Sequence, residues 1–502
     1  MSDYLHGAYG VVQAVGNRVA DESEGVIVYV GTAPVHQLAL ANGAGYPVNK
    51  PVLVNSIAEA KAAFGYSDAW DKYTLCEAMY VHFEMNGVGP LVLINVLDPA
   101  RADHRNGAKV TTTKAPESGR IMIASAEDII LETVVIKTAD ATPLEKTKGV
   151  DYSIAYNGDK QQIIIEEIGN GLGTGELTVE YFTIKPSGVT TADVIGTTDG
   201  MGLNTGLFAV SDVYPRTGDV PSYLAAPGFS SDIDVHNAMC QISKKINGHW
   251  DTYMFVDLPL MNGQTQLRLD TVAAFKEANG FNKDNETVFF PMALGTDGRK
   301  YHLSVLAAAN FQALLMQNEG IPYMVASNTA CKIIQNLYMG EANTARLYDD
   351  AIINKYLNSN GIASACYTAG RWCIWGCHSA QYNPENGNQI NVSEVNMMML
   401  YYVSNDFQAR RSQDVDKPVT ANDIKTIIAE EQSRIDALKS IGALIHGEVR
   451  LNSTAQAQAD ILMGDFSFIF DLTPTPIARS LKAVVNWTDE GFVTYIQAMT
   501  AE

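Results

Sequence analysis

Basic residues are scarce in this chain. Its 502 residues carry 35 Lys and Arg against 56 Asp and Glu, a formal net charge of -21. Coating nucleic acid or an anionic membrane requires dense Lys and Arg to neutralise phosphate, so the balance excludes both as the main role. No basic run interleaved with aromatics makes a local exception. Cysteine is sparse too: Cys76, Cys240, Cys331, Cys366, Cys373 and Cys377 are scattered, unlike a secreted disulfide framework, and read as reduced, mostly buried thiols. No uninterrupted apolar run approaches the roughly 18 residues of a membrane span. The opening MSDYLHGAYG lacks the cationic and apolar regions of a signal peptide. Together these absences predict a protein made and kept in cytoplasm, with no direct membrane insertion.

Catalytic signatures are missing as well. There is no Gly-x-Ser-x-Gly elbow, no His-Glu-x-x-His helix and no lysine-containing phosphate loop. GNGLGTGE (169–176) has the glycines of a nucleotide loop, but a strand-like run follows it where a phosphate cradle needs a helix; it reads as a hairpin tip. The pairs Asp232/Asp234 and Asp414/Asp416 have no His or Arg constellation beside them and read as caps and turns. RWCIWGCHSA brings Cys373, Cys377 and His378 within six residues, yet three residues separate the cysteines where a metal finger has two, and Trp372, Ile374 and Trp375 interleave with them; a buried strand with inert thiols fits better than a metal finger. No catalytic residue, metal ligand or cofactor is expected.

What is present is 46% hydrophobic and 18% charged residues, enough to bury large cores in two to four domains. An arm (1–23) precedes EGVIVYVGTAP, a buried strand; a helix capped by Ser56 with Glu59, a helix from about Lys72 to Met85 and the strand LVLINVLDP complete an α/β start (24–99). From 100 to 200, period-two stretches such as QQIIIEEI and ELTVEYFTI predict an inserted antiparallel β domain. Residues 201–375 read as a second α/β module, opening with a helix capped by the Ser231/Asp234 pair. Residues 376–488 return to the first core, with a long helix capped by Thr420 and Asp423, then FSFIFDLTP and SLKAVVNWT as strands. Arg410 and Arg411 stand just ahead of that helix in a polar stretch, either solvated or contacting another subunit. The last segment (489–502) reads as a turn and one more extended piece.

Several stretches, taken in order, carry a resemblance: GVIVYVGTAP after an extended arm, SYLAAPGFSS, FVDLP, LNSNGIASACYTAGRWCIWGCHS, SIGALIHGEVRLN and GDFSFIFDLTPTPIARSLKAVVNWT. The chain resembles the contractile tail sheath proteins of phages, related bacteriocins and phage-tail-like injection machines. It departs from them at His6-Gly7, where Pro-Gly is usual, and at Cys377-His378-Ser379, where Ala-Arg-Thr is common.

The resemblance implies a discontinuous α/β core built from amino- and carboxy-terminal segments, other domains inserted outward, and terminal arms that add strands to neighbouring copies. It further implies a helical homo-polymer of six-fold rings around an inner tail tube protein, with baseplate and tail terminator proteins as further partners, in a particle assembled in a bacterial cytoplasm. On that reading Tyr9, Gly10, Val11, Val12 and Ala14 form one intersubunit arm and Phe492, Val493, Tyr495 and Ile496 the other. Gly16, Asn17, Glu490 and Gly491 serve as hinges. An extended arm of 10 to 14 residues reaches about 35 to 50 Å, enough to cross a subunit boundary. Two other readings stay open: an enzyme with two α/β modules and a β insertion, or a different virion component of baseplate or capsid.

Overall fold

A computed structural model of the chain describes residues 25–38, 40, 45–340, 349–385 and 393–500, with the side chains of 455–457 and 459 left aside. The amino-terminal arm residues Tyr9, Gly10, Val11, Val12 and Ala14 and the hinge Gly16-Asn17 lie outside the described residues.

The chain enters at β1 (Gly25–Gly31), buried from its second residue onward. A continuous β-branched run of this kind suits a strand covered on both faces. β2 (Val52–Val54) and α1 (Ile57–Phe64) follow, and the Ser56 side chain caps α1 by accepting from Glu59 N. α2 (Thr74–Met79) continues as a π-turn to Asn86 and stops at Gly87, whose left-handed φ of 63° ends the helix. β3 (Leu91–Asn95) completes the first stretch.

Residues 110–181 hold the inserted strands β4 (Val110–Lys114), β5 (Arg120–Ala124), β6 (Val135–Thr138), β7 (Glu145–Lys146), β8 (Tyr152–Tyr156), β9 (Gln162–Glu167) and β10 (Leu177–Tyr181). They form two antiparallel sheets, β4-β10-β6-β7 and β5-β9-β8. Ile121, Ile163, Ile165, Ile136 and Val179 close a core of their own between these sheets. GNGLGTGE is therefore not a hairpin tip, because β9 and β10 lie in different sheets and the glycines connect them. The Glu167 carboxylate accepts from Leu172 N and Gly173 N and shapes that connection. α3 (Thr191–Ile195) closes the insertion under a Thr190/Asp193 capping box.

Next come β11 (Val220–Ala225), α4 (Ile233–Ile242), β12 (Tyr253–Asp257), α5 (Val272–Ala278), β13 (Glu286–Phe289), α6 (Leu303–Gln317), α7 (Asp350–Tyr356), β14 (Ile362–Thr368) and β15 (Arg371–Trp375). α4 is capped by Asp232, which accepts from Asp234 N and Val235 N, and not by Ser231. One eight-stranded sheet runs β2-β3-β1-β11-β12-β13-β14-β15. Its inner pairs are parallel, and β2 and β15 are antiparallel at the two edges.

This sheet corrects the partition read from the sequence. Residues 24–99 and 201–375 are not two α/β modules: β1 pairs with β3 on one side and with β11 on the other. A buried parallel strand needs a ladder on both edges, and its second partner lies beyond the 100-residue insertion, where local periodicity cannot point to it.

The carboxy-terminal part contributes α8 (Glu394–Arg411), α9 (Ala421–Ser440), β16 (Leu444–Leu451), α10 (Ala455–Met463), β17 (Phe468–Pro474) and α11 (Glu490–Thr500). It adds no described strand to the large sheet. α8 joins it to the rest, with Met397 and Met398 in the main core and Val395, Met399 and Val403 in a second core with Ile435, Leu438 and Val449. The architecture is mixed α/β with an antiparallel β insertion, as the sequence predicts.

Candidate assembly interface

In an open parallel sheet a ligand sits at the carboxyl ends of the strands where the winding reverses. Here that point lies between β1 and β11, and it is plugged. A Cβ on Gly31 would overlap Thr74 Oγ1, and one on Gly228, at φ +79°, would come within 2.9 Å of Thr74 Cγ2. Thr32 and Thr74 exchange backbone-to-hydroxyl hydrogen bonds of 3.3 and 3.2 Å across the gap. The crevice is occupied by the chain's own side chains.

The cysteine cluster is dispersed. Cys373 sits in β15 directly across from Cys366, both buried, while the His378 ring stacks on Tyr382 at 3.9 Å. Asp232 is the α4 cap, Asp414 pairs with Arg411 and Lys417, and Asp416 sits at φ 63° in the turn that follows.

Arg410 and Arg411 do not lie in a loop: α8 runs through both. Arg410 forks onto Glu431 (2.7 and 2.8 Å) and onto Asp406; Arg411 reaches Glu431, Glu430 and Asp414. Burial raises the Glu431 carboxyl, but the two guanidinium groups outweigh it and hold the group below its ordinary value. Their charge is met within the chain, where it fastens α8 to α9.

The exposed β structure lies just beyond. β16 and β17 make an antiparallel hairpin that is a sheet of two strands only. Its inner face packs on α8 and α9: Phe407 meets Phe468 and Phe470 at 5.8 and 5.4 Å, and a Cβ on Gly447 would overlap Ile435 Cγ2. The outer edge of β16 is partly closed by a side chain acting as a short strand. Gln432 Nε2 donates to Gly447 O (3.1 Å) and its Oε1 accepts from Val449 N (2.9 Å). Since ladder bonds alternate in an antiparallel pair, the opposing residues Leu472 and Phe470 turn their backbone groups away from β16. The β17 edge therefore presents amide and carbonyl groups with no backbone partner among the described residues. An isolated two-stranded hairpin is marginal in water, and an open edge is a template for another chain.

After β17, Arg479 donates to Tyr382 Oη (2.9 Å) and the chain then leaves the body. Every residue from 480 to 500 is exposed. SLKAVVNWT, expected as a strand, belongs to no sheet here. Its alternation is intact, however: Leu481, Ala483, Val485 and Trp487 share one side, with Leu481 and Val485 each 90% and Trp487 87% exposed. That is the pattern of a half-buried strand without its ladder.

The final segment corrects an expectation. Phe492, Val493, Tyr495 and Ile496 lie on a helix, α11, and Glu490 and Gly491 are its first residues instead of a hinge. Phe492, Tyr495, Ile496 and Met499 fall at i, i+3, i+4 and i+7, a helical stripe that outweighs the β preference of the individual residues. The exposed arm thus begins near 480, not at 489.

No protein-family model matches the chain. A curated relative, the tail sheath protein of Burkholderia phage BcepMu, is 30% identical over 239 residues, 47% of this chain and 45% of that one. The match spans less than half of the relative's length. Among solved structures, a chain of the anti-feeding prophage baseplate superposes with a TM-score of 0.55 at 11% identity, covering 97% of this chain and 100% of that one. The sheath complex of the extracellular contractile injection system PVC, in its contracted state, gives 0.54 at 12%, with 98% of each chain covered. The sheath tail protein of Desulfitobacterium hafniense gives 0.50 at 10%, covering 93% and 100%. The chain has the contractile-sheath fold.

Proposed function

We propose that the chain is the repeating subunit of a contractile tail sheath, polymerising helically around an inner tube and shortening to drive that tube through a target cell envelope. One observation carries the reading: a chain of sheath fold presents a strand without a ladder at 480–488 and an unfilled strand edge at β17. Nine extended residues reach about 30 Å, longer than the seven-residue β17, so the segment can lie along that edge in a neighbouring copy. Backbone hydrogen bonds supply most of the pairing, and the Leu481/Ala483/Val485/Trp487 face covers apolar surface. Residues 1–23, anchored by Tyr9, Val11 and Val12, form the corresponding link at the other end.

Copies linked by such arms can rotate and slide while staying connected, and a long-to-short transition then travels along the array. The extended array is a trapped state, and new lateral contacts drive contraction without nucleotide hydrolysis at that step. The inner tube protein, the baseplate and the terminator are the remaining partners, and the protein resides in the phage tail or phage-tail-like particle. The plugged crevice at the β1/β11 switch point speaks against the enzyme alternative. Negative-stain microscopy tests the reading: the full chain forms striated hollow tubes and a chain ending at Arg479 does not. Tubes from the shortened chain would refute the arm mechanism, and a small oligomer from the full chain would refute the sheath.

A further inference from the structure

A second feature lies on the large sheet, away from the hairpin. α4 carries His236 and Cys240 one turn apart on the face that packs against β13, and Glu286 is the first residue of β13. His236 Nε2 lies 2.6 Å from Glu286 Oε2 and 3.4 Å from Cys240 Sγ. The three ligand atoms all fall within 4.8 Å of one another. We propose that His236, Cys240 and Glu286 form a binding site for a divalent transition metal, with zinc as the ion their chemistry favours.

The donor set is the first argument. One imidazole, one thiolate and one carboxylate suit zinc and its neighbours, whereas magnesium and calcium take oxygen ligands. Thiolate and carboxylate together supply two negative charges, which cancel a divalent cation where His236 and Glu286 are fully buried.

Orientation is the second argument. Phe281 stacks on the His236 ring at 4.0 Å and fixes its plane. Lys283 N donates to Glu286 Oε1 (3.0 Å), which leaves Oε2 aimed at the cluster. Such outer contacts are the kind that orient metal ligands. Cys240 is only partly buried, so solvent reaches the site from its side and can provide a fourth, water ligand.

Binding has a defined proton balance. The Cys240 thiol releases its proton to solvent, and the proton shared between His236 Nε2 and Glu286 Oε2 leaves as well, to solvent or to Nδ1, which has no hydrogen-bond partner among the described residues, so that Nε2 and the carboxylate are both free to bind the ion. Tetrahedral zinc holds neighbouring donors about 3.3 to 3.7 Å apart, so the His236–Glu286 contact of 2.6 Å opens by about 0.7 to 1.1 Å as the ion enters. The ion would then staple α4 to the sheet beside β12 and β13.

The test uses the purified full-length chain and Co2+ as a spectroscopic probe. The expected result is a thiolate-to-cobalt charge-transfer band that saturates at one equivalent, disappears when Zn2+ is added, and is absent from Cys240→Ser. A wild-type band that survives undiminished in Cys240→Ser, or no band in the wild-type protein, overturns the proposal. Should Cys240→Ser fail to fold, alkylation of the wild-type chain mapped by mass spectrometry decides. Zn2+ is expected to slow modification of Cys240 at least tenfold, and an unchanged rate contradicts the site.

Discussion

Replacing Trp487 by Ala separates assembly from folding. The side chain is 87% exposed in the single chain, so its removal should leave the monomer's melting temperature within the small range of surface substitutions, about ±0.5 kcal/mol. In the assembled state the same side chain is expected to lie over a neighbouring hairpin. A Trp buries about 200 Å2, and at about 25 cal/mol per Å2 that contributes about 5 kcal/mol. Fixing the Trp side chain itself offsets part of this, at up to about 2 kcal/mol. A net loss of about 3 kcal/mol per contact corresponds to a roughly hundredfold weaker subunit association. Sedimentation velocity over a concentration series, paired with thermal unfolding of the dilute monomer, reads both numbers. An unchanged assembly threshold refutes the reasoning, and so does a large fall in monomer stability, which would place Trp487 in its own subunit's core.

Four other perturbations have signed outcomes. Burial lifts the Glu394 carboxyl from 4.5 to about 8, so the folded chain holds a proton that the unfolded chain has lost; stability falls by about 1.4 kcal/mol per pH unit across that window. Glu394→Gln should flatten the melting-temperature profile between pH 5 and 8, and a slope equal to wild type contradicts the assignment. For His302, burial pulls the ring down but the Glu77 carboxylate outweighs it and raises it to about 9; the associated stability is present below about pH 6.5 and disappears as pH rises through about 9, and His302→Gln should remove that alkaline limb. Gly447→Ala pushes a methyl group into Ile435 and should cost about 1–3 kcal/mol, with Ile435→Ala restoring part of the loss; additive effects would contradict the contact. Glu431→Ala leaves two half-buried guanidinium groups without their shared partner, a loss on the order of 3 kcal/mol in chemical denaturation.

The parts of the fold visible in the sequence are those set by local rules. Apolar runs such as GVIVYVG and LVLIN could only be buried strands, and the Thr420/Asp423 box starts α9 as its spacing requires. The insertion is legible because period-two texture replaces longer apolar runs near residue 100. Long-range pairing is not visible: that β1 and β11 are neighbours depends on what the chain does after the insertion closes. The helix α8 is not legible in the sequence, and its last turn is hidden by charge. A buried network around Glu431 has the same composition as a solvated loop, so Arg410 and Arg411 looked peripheral.

Residues 480–500 contain both kinds of case. Alternation at Leu481, Ala483, Val485 and Trp487 predicts a strand, but a strand exists only with its ladder, and a single chain does not provide one. At 490–500 the individual residues favour β structure, but their i, i+3, i+4, i+7 spacing is that of a helix. His236 and Cys240 showed the same helical spacing; their convergence on Glu286 depended on sheet order and could not be read along the chain.

Where residues 480–488 go when many copies are present decides how the subunits are linked. A cryo-electron microscopy map of the assembled full-length protein, traced through that segment, measures this directly. The prediction is a strand of one copy hydrogen-bonded along the β17 edge of another, with Trp487 buried between them. A segment folded against its own hairpin, or running free of any sheet, would contradict the account.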